Sequence, residues 1–287
     1  MSIAGGIHLA FDRLEKIKGK ALQVFTTNHR RWRSDPLGIE EIELFRLRWQ
    51  KSGRLPIAAH DIYLINLASR DDLILSMSIV AFAEELQRCA SLGIPYLIMH
   101  PGAHVGEGTE AGLVRFVKNL DRAIETSRVE SVSVLIENTA GQGSSLGSSL
   151  DEISFILRNS GFGSTMGVCY DTSHGFAAGY DIRDEEAYNL TLSKFNEAIG
   201  IDRLRFFHLN DSKRELGSHV DRHEHIGKGK IGLNGFRLLL NDPRFRDHPM
   251  VLETPKGNDL KEDKENMRVL CSLLEKTYTA ETGESED

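Results

Sequence analysis

Several features that would assign this 287-residue sequence to a special class of protein are missing from it. It has three cysteines, Cys89, Cys169 and Cys271, and their wide separation excludes a disulfide framework and a cysteine-based zinc site. We therefore expect reduced thiols in a cytoplasmic protein, with Cys169 as a small buried side chain in a strand. No run of about 18 apolar residues is present, so no membrane span is expected. The first residues also lack the basic and apolar segments of a secretory signal.

A surplus of positive charge is also missing, since the formal net charge is −7 at pH 7. Taken alone, this charge argues against a nucleic-acid partner. Two features weaken that argument. Divalent cations would neutralise acidic residues at a metal site, and residues 277–287 form an acidic segment that we expect to be a disordered tail. Basic residues are concentrated between residues 30 and 54, which is usual for a solvated surface but also fits a phosphate-binding patch.

Short apolar runs alternate with segments of helical period along residues 1–276, and no linker separates them. Such alternation predicts a single domain built on a parallel β-sheet covered by helices. Seven strand–helix units are complete, and residues 210–232 read as a long polar loop. The first unit has only residues 1–3 ahead of its turn and helix, whereas a strand usually has about five or six residues. We therefore expect a truncated first strand.

Six of the apolar runs lead directly into a residue that can bind a metal ion. These residues are His60, His100, Glu137, Asp171, His208 and Glu253. Only a closed ring of strands brings six strand ends together, whereas an open doubly wound sheet places ligands at a switch point in strand order. The sequence therefore favours an α/β fold of the (β/α)₈ TIM-barrel type over an open sheet.

Three further candidate ligands lie near these strand ends. His174 follows Asp171 by three residues, so one turn can aim both side chains inward, and Asp221 and His223 have the same-side spacing of an extended segment. Each of the nine residues, taken alone, is more often a hydrogen-bonded structural residue or a helix cap. Gathered at one face, however, four carboxylates would raise one another's pKa strongly unless cations compensated them. Mixed imidazole and carboxylate donors suit zinc better than magnesium or calcium, and nine of them suit two or three ions.

A cluster of two or three ions points to one class of reaction. Metal ions about 3.5–4 Å apart grip a phosphate, activate water at neutral pH and stabilise a leaving oxygen. Phosphoester hydrolysis is therefore the reaction that the donor set favours. The glycine pairs at residues 141–143 and 227–229 are too short for a phosphate-binding loop, and we interpret both as tight turns.

Eight segments together resemble the signature segments of endonuclease IV, a family of zinc-dependent, TIM-barrel apurinic/apyrimidinic endonucleases. The resemblance covers about residues 1–276, and the segments are specific as a set although each alone would be weak. They are FTTNHRRW at 25–32, HDIYLINL at 60–67, HPGAH at 100–104, IENTAGQG at 136–143, DTSHGFAAGYD at 171–181, FHLNDSK at 207–213, VDRH at 220–223 and LETP at 252–255.

The resemblance implies three zinc ions, with manganese as an alternative metal. One ion would be bound by His60, His100 and Glu137, a second by Glu137, Asp171, His208 and Glu253, and the third by His174, Asp221 and His223. It also implies hydrolysis of the phosphodiester on the 5′ side of an abasic site in duplex DNA, which leaves a 3′-hydroxyl and a 5′-deoxyribose phosphate. Glu137, as the bridging carboxylate, would be the catalytic residue that orients the nucleophile, while the ions stabilise charge on the phosphate.

The expected DNA contacts follow from the same resemblance. Arg30 matches a residue that the family inserts into the minor groove, and Tyr63 and Leu64 match residues that wedge beside the flipped abasic site. Flipping costs less where no base is paired, so the lesion is selected without base readout. Without the resemblance, core packing of a βα turn is the preferred interpretation of Tyr63 and Leu64. The sequence departs from the family in its short first strand and at His219, where an arginine is common.

Two other functions stay open on the residues alone. One is a sugar isomerase or epimerase on the related xylose-isomerase-like barrel, which needs one or two ions and a proton shuttle. The other is a catalytically impaired protein that binds abasic DNA without cutting it. In each case we expect a monomeric, cytoplasmic protein with no membrane partner. As a nuclease it would associate with the nucleoid when acting on duplex DNA.

Overall fold

The computed structural model of the protein describes residues 1–28, 31–32, 35–257 and 259–275. The predicted acidic tail at 277–287 lies outside these residues. In chain order, the elements of the described residues are α1 (Leu9–Glu15), β1 (Leu22–Phe25), α2 (Ile39–Lys51), β2 (Ile57–His60), α3 (Asp72–Leu92), β3 (Tyr96–Met99), α4 (Thr109–Ser127), β4 (Ser133–Glu137), α5 (Leu150–Asn159), β5 (Gly167–Asp171), α6 (Thr172–Ala178), α7 (Glu185–Ala198), β6 (Leu204–His208), β7 (Asp211–Ser212), β8 (His223–Glu224), α8 (Gly232–Leu240), β9 (Met250–Val251) and α9 (Lys261–Ser272). Short 3-10 helices, Ile201–Arg203 and Pro243–Phe245, precede β6 and β9. No helix in this part of the chain is long and apolar enough to cross a membrane.

Seven strands form one parallel sheet in the order β1-β2-β3-β4-β5-β6-β9. Each strand pairs with the next in that order, so that Phe25 lies beside His60 and Asp171 beside His208. Sequential parallel pairing with intervening helices curls such a sheet into a barrel. The predicted TIM barrel is therefore confirmed, as a nearly closed ring of seven strands.

The ring has a seam between β1 and β9, because residues 1–3 form no strand there. The amino group of Met1 donates to the backbone carbonyl of Gln23 in β1, so these residues lie at the seam without completing the ring. Beside them is a cavity of about 640 Å³, lined in part by Val24 and Met250. Because residues 1–3 form no strand, β1 and β9 are the two edges of the sheet.

The barrel interior below the strand ends is apolar. It is filled by one side chain from each of five strands, namely Ala58, Ile98, Leu135, Cys169 and Phe206. The opposite faces of the strands pack against the helices in a larger apolar cluster. Burial on both faces explains why the strands read as continuous apolar runs. The buried position predicted for Cys169 is confirmed.

Side-chain caps fix several helix starts. Asp71 accepts hydrogen bonds from the backbone N–H groups of Leu73 and Ile74 ahead of α3, and α3 ends at Gly93, whose φ of +83° suits glycine. Two short features were not predicted. Helix α6 begins directly after β5, and residues 210–232 contain the antiparallel hairpin β7–β8, in contrast to the loop that their polar composition predicts.

Candidate metal centre

The six strand-end residues all lie at the carboxyl-terminal mouth of the barrel. In each of these strands, the residue two positions earlier belongs to the barrel interior, as Leu135 precedes Glu137 and Phe206 precedes His208. Side chains alternate between the two faces of a strand, so a residue two positions on points to the same interior, one layer higher. Alternation along the strands therefore brings the six polar side chains together.

Glu137 is fully buried at the centre of this group, with 0% of its surface exposed. Its Oε2 atom lies 3.1 Å from Nε2 of His60 and 3.3 Å from Nε2 of His100. Its Oε1 atom lies 3.0 Å from Nδ1 of His208 and 3.2 Å from Nδ1 of His174. The two carboxylate oxygens thus face different imidazoles, as a bridging carboxylate must.

A second group of donors lies on the Oε1 side of Glu137. Nδ1 of His208 is 3.2 Å from Oε2 of Glu253 and 3.8 Å from Oδ2 of Asp171. Donor atoms of Glu137, Asp171, His208 and Glu253 all lie within 4.8 Å of one another. The fold thus brings together the four residues that the family resemblance assigns to one ion.

A third group lies at the rim and consists of His174, Asp221 and His223. Nε2 of His174 is 3.3 Å from Nε2 of His223 and 3.4 Å from Oδ1 of Asp221, and the distance from His223 Nε2 to Asp221 Oδ1 is 3.5 Å. The side chain of Asp221 is 45% exposed, which places this group nearest to solvent. Asp171 borders the group as well, with Oδ2 at 3.6 Å from Nε2 of His223.

The spacing of the donors fits zinc. A tetrahedral zinc ion with bonds of about 2.0–2.1 Å holds its donor atoms about 3.3–3.4 Å apart. The three distances of the rim group and the contacts of His60 and His100 with Glu137 lie close to this value. The facing Nε2 atoms of His174 and His223 would repel each other if both carried lone pairs or both carried protons. A shared cation removes that conflict.

Backbone carbonyls select the ring nitrogen that each imidazole presents. Nδ1 of His60 lies 2.8 Å from the carbonyl oxygen of Asp61, and Nδ1 of His174 lies 3.0 Å from that of Asn138. Nδ1 of His223 lies 3.2 Å from the carbonyl oxygen of Glu253. A carbonyl only accepts, so each Nδ1 carries the proton and each Nε2 is left to face the donor group. Metal-binding histidines are usually oriented in this way.

The charges at the mouth perturb one another strongly. Burial alone would raise the pKa of Glu137, but the facing imidazoles of His208 and His100 hold it well below its ordinary value. Burial would lower the pKa of His60, but the hydrogen-bonded carboxylate of Glu137 raises it to about 9. Burial likewise opposes the effect of His174 on Asp221, whose pKa is lowered to about 2. The imidazoles thus act as positive counter-charges to the carboxylates, and divalent cations can fill the same role.

Three polar residues that contact the donors carry little signal in the sequence. Asn138 and Asn210 both bind Asp171: Asn138 Oδ1 accepts from its backbone N–H at 2.7 Å, and Asn210 Nδ2 donates to its Oδ2 at 2.6 Å. Gln23 lies between His208 and Glu253. The indication of Gln23 in the sequence is that a polar residue occupies an inward-facing position of β1, whose other residues are apolar.

A groove of about 350 Å³ opens beside the donors and is lined in part by His100, Asp221 and Tyr63. Tyr63 is 59% exposed, whereas Leu64 is half-buried and packs against the core. Of the predicted DNA contacts, Tyr63 therefore lies at the groove, whereas Leu64 packs partly against the core. Arg30 lies outside the described residues.

Comparison with known proteins agrees with the fold and the segments. A family model described as a xylose isomerase-like TIM barrel matches residues 11–273. The probable endonuclease 4 of Chloroflexus aggregans is 47% identical over 274 residues, which is 96% of each chain. That of Geobacter sulfurreducens is 46% identical over 99% of this chain and 96% of the relative. The chain belongs to the endonuclease IV family.

A solved structure of an endonuclease IV has the same architecture. The enzyme from Thermus thermophilus matches with a TM-score of 0.85 and 34% identity, covering 95% of this chain and 96% of that one. A D-tagatose 3-epimerase-like protein matches with a TM-score of 0.68 but only 14% identity, covering 94% and 96% of the two chains. The likeness to the epimerase shows the shared barrel alone. The endonuclease IV family is metal-dependent, and the donor groups described above could bind metal ions.

Proposed function

We propose that the protein is a DNA-repair endonuclease that hydrolyses the phosphodiester on the 5′ side of an abasic site in duplex DNA. The observation that carries the proposal is the convergence of three donor groups at one barrel mouth, joined by Glu137 and bordered by an open groove. The relatives' names, probable endonuclease 4, support the same reaction. The products would be a 3′-hydroxyl and a 5′-deoxyribose phosphate.

The set of donors suits three zinc ions, with manganese as the alternative metal. The assignment is His60, His100 and Glu137 for one ion, Glu137, Asp171, His208 and Glu253 for another, and His174, Asp221 and His223 for the third. When bound, ions of this kind activate water at neutral pH and stabilise charge on a phosphate.

Glu137 is the residue to which we assign the orientation of the attacking water. Its low pKa keeps the carboxylate ionised, so both oxygens accept hydrogen bonds and neither donates. Burial fixes its position between the donor groups, which limits the orientations open to a water molecule held there. His100 and Asp221 border the groove, where the scissile phosphate would reach the donors.

Tyr63, Leu64 and Arg30 are the residues to which we assign DNA contacts. The exposed ring of Tyr63 stands at the groove and can stack where a base is missing. Leu64 is half-buried, and its exposed part would wedge into the stack beside Tyr63. Arg30 lies outside the described residues, and its assignment to the minor groove rests on the family resemblance alone.

The experiment is incision of a synthetic duplex that carries one tetrahydrofuran abasic analogue, with the zinc-loaded protein and an undamaged duplex as the control. We expect a cut on the 5′ side of the lesion that leaves a 3′ end a polymerase can extend, and we expect a chelator to abolish it. Binding of the abasic duplex without cutting would instead identify an impaired binding protein. Epimerisation of a ketohexose with no incision would identify the sugar enzyme.

A further inference from the structure

His208 differs from three other imidazoles of the metal centre in how its orientation is set. His60, His174 and His223 each place Nδ1 beside a backbone carbonyl and present Nε2 to the donor group, although Nδ1 of His174 also lies 3.2 Å from Oε1 of Glu137. His208 is reversed, because its Nδ1 faces Glu137 and Glu253. Its Nε2 lies 2.6 Å from the side-chain oxygen of Gln23. A side chain, not the backbone, therefore decides which nitrogen His208 presents.

Gln23 also binds the second donor of the same group. Its Nε2 atom donates to Oε1 of Glu253 at 2.6 Å, while the other oxygen, Oε2, lies 3.2 Å from Nδ1 of His208. One side-chain amide thus contacts the outer atom of each of two donors and leaves their inner atoms facing each other. Gln23 is 7% exposed, so water does not replace these contacts easily.

The chemistry of the three groups permits one arrangement of protons. A carboxylate only accepts, so the NH₂ group of Gln23 must face Glu253. The carbonyl oxygen of Gln23 then faces His208, which must carry a proton on Nε2. In the neutral ring this leaves the lone pair on Nδ1, directed at the donor group. Reversal of the Gln23 amide would set two oxygens against each other at Glu253.

We propose that Gln23 is a positioning residue of the candidate metal centre, whose amide holds His208 and Glu253 so that Nδ1 and Oε2 face the same ion. The inference rests on the proposed function for the presence of that ion. The backbone of β1 sets the place of Gln23 through the pairing of Gln23 with Ala58 in β2. Outer hydrogen-bond partners of metal ligands typically contribute about 10–100-fold to metal affinity.

The test compares Gln23→Leu, which keeps the approximate volume and removes both hydrogen bonds, with Gln87→Leu as the matched control. Gln87 lies on α3, is exposed and donates to the carbonyl of Ser127 away from the barrel mouth. The zinc-loaded proteins are dialysed against graded chelator and the retained zinc is counted. We expect Gln23→Leu to lose one ion at about 10–100-fold lower chelator than the wild type, with the other ions retained. We expect Gln87→Leu to match the wild type.

A spectroscopic measurement separates positioning from general support of the fold. In the zinc-loaded wild type, proton–nitrogen spectra of the histidine side chains should contain a slowly exchanging Nε2–H from His208, held by Gln23. That signal should be lost in Gln23→Leu and in Gln23→Asn, whose shorter amide cannot reach both partners. If Gln23→Leu does not fold, the same measurements on Gln23→Asn provide the test.

Two results would overturn the inference. One is a Gln23→Leu or Gln23→Asn protein with the wild-type chelator profile and the Nε2–H signal intact. The other is equal loss of all ions together with a lower melting temperature of the metal-free protein. If the wild type holds its ions but never cuts abasic DNA, the proposed reaction fails while the role of Gln23 is still decided by ion retention.

Discussion

Glu137 is the single residue on which the candidate metal centre converges, since both of its oxygens face imidazoles of different groups. We expect Glu137→Gln to lower abasic-site incision by more than about 100-fold, because the neutral amide removes the shared negative charge and one acceptor oxygen. Folding should persist, since the amide keeps the shape of the side chain. Steady-state incision rates and far-ultraviolet circular dichroism measure the two effects.

Glu130→Gln is the control for this change, because Glu130 is exposed and remote from the mouth of the barrel. It should leave incision unaltered. An active Glu137→Gln enzyme would contradict the role assigned to the bridging carboxylate.

Metal binding should release protons near neutral pH. Burial would lower the pKa of His60 and His174, but Glu137 raises that of His60 to about 9, and Asp171, Asp221 and Glu137 raise that of His174 well above its ordinary value. The imidazole of His60 is therefore protonated at pH 7 before an ion binds, and an ion binds the neutral ring. Binding should therefore displace protons, and zinc affinity should rise with pH up to about 9, the pKa of His60.

Titration calorimetry at pH 7 in buffers of different ionisation enthalpy counts those protons. The observed heat should vary linearly with the buffer enthalpy. A heat that is the same in every buffer would show that the imidazoles are already neutral and that the raised pKa values are wrong.

At the scale of elements, the segment from β7 to α8 depends on one buried carboxylate. Asp211 accepts backbone hydrogen bonds from Ser212 and Ile231 on Oδ1, and from Gly227 and Gly229 on Oδ2. These four bonds close the segment that carries Asp221 and His223, two donors of the rim group. Between residues 211 and 231 the buried apolar residues are Ile226 and Ile231, so the carboxylate supplies much of the bonding within the segment.

Asp211→Asn should loosen this segment. One amide NH₂ cannot accept, so two backbone N–H groups lose their acceptor, at about 1–3 kcal/mol each. We expect a loss of about 2–6 kcal/mol in the free energy of unfolding by urea, together with loss of the ion that we assign to the rim group. Asp202→Asn, an exposed aspartate ahead of β6, serves as the control. Full zinc content in Asp211→Asn would mean that other contacts hold the segment.

At the scale of the whole molecule, the seam is the feature that sets this barrel apart from a closed ring. Strands β1 and β9 each have one partner strand, whereas β4 has two. Edge strands open more readily, because fewer contacts must break. We expect amides of residues 22–25 and 250–251 to exchange with deuterium at least about tenfold faster than those of residues 133–137.

Hydrogen exchange followed by mass spectrometry measures this difference, with β4 as the internal reference. Equal protection of all three strands would show that the seam is closed in solution. The cavity beside the seam supports the expected difference, because apolar side chains that line it have fewer packing partners.

Much of the barrel was predictable from the sequence, because the relevant information is local. An apolar run followed by a histidine or carboxylate can be recognised in each strand separately, and the alternation of side chains along a strand determines which way its last residue points. The position of His60, His100, Glu137 and His208 at the mouth of the barrel was predicted in this way. Capping by Asp71 and the glycine at position 93 mark α3 by equally local means.

Tertiary structure alone decided the rest, because the deciding contacts join residues far apart in the chain. Gln23 meets His208 across 185 residues, and no pattern within β1 reveals that contact. The choice between Nδ1 and Nε2 in each imidazole depends on the acceptor that the fold places beside it. The same holds for the four bonds that Asp211 accepts. By itself the amino-acid sequence therefore determined which groups reach the mouth of the barrel, and only the folded chain decided which of their atoms face one another.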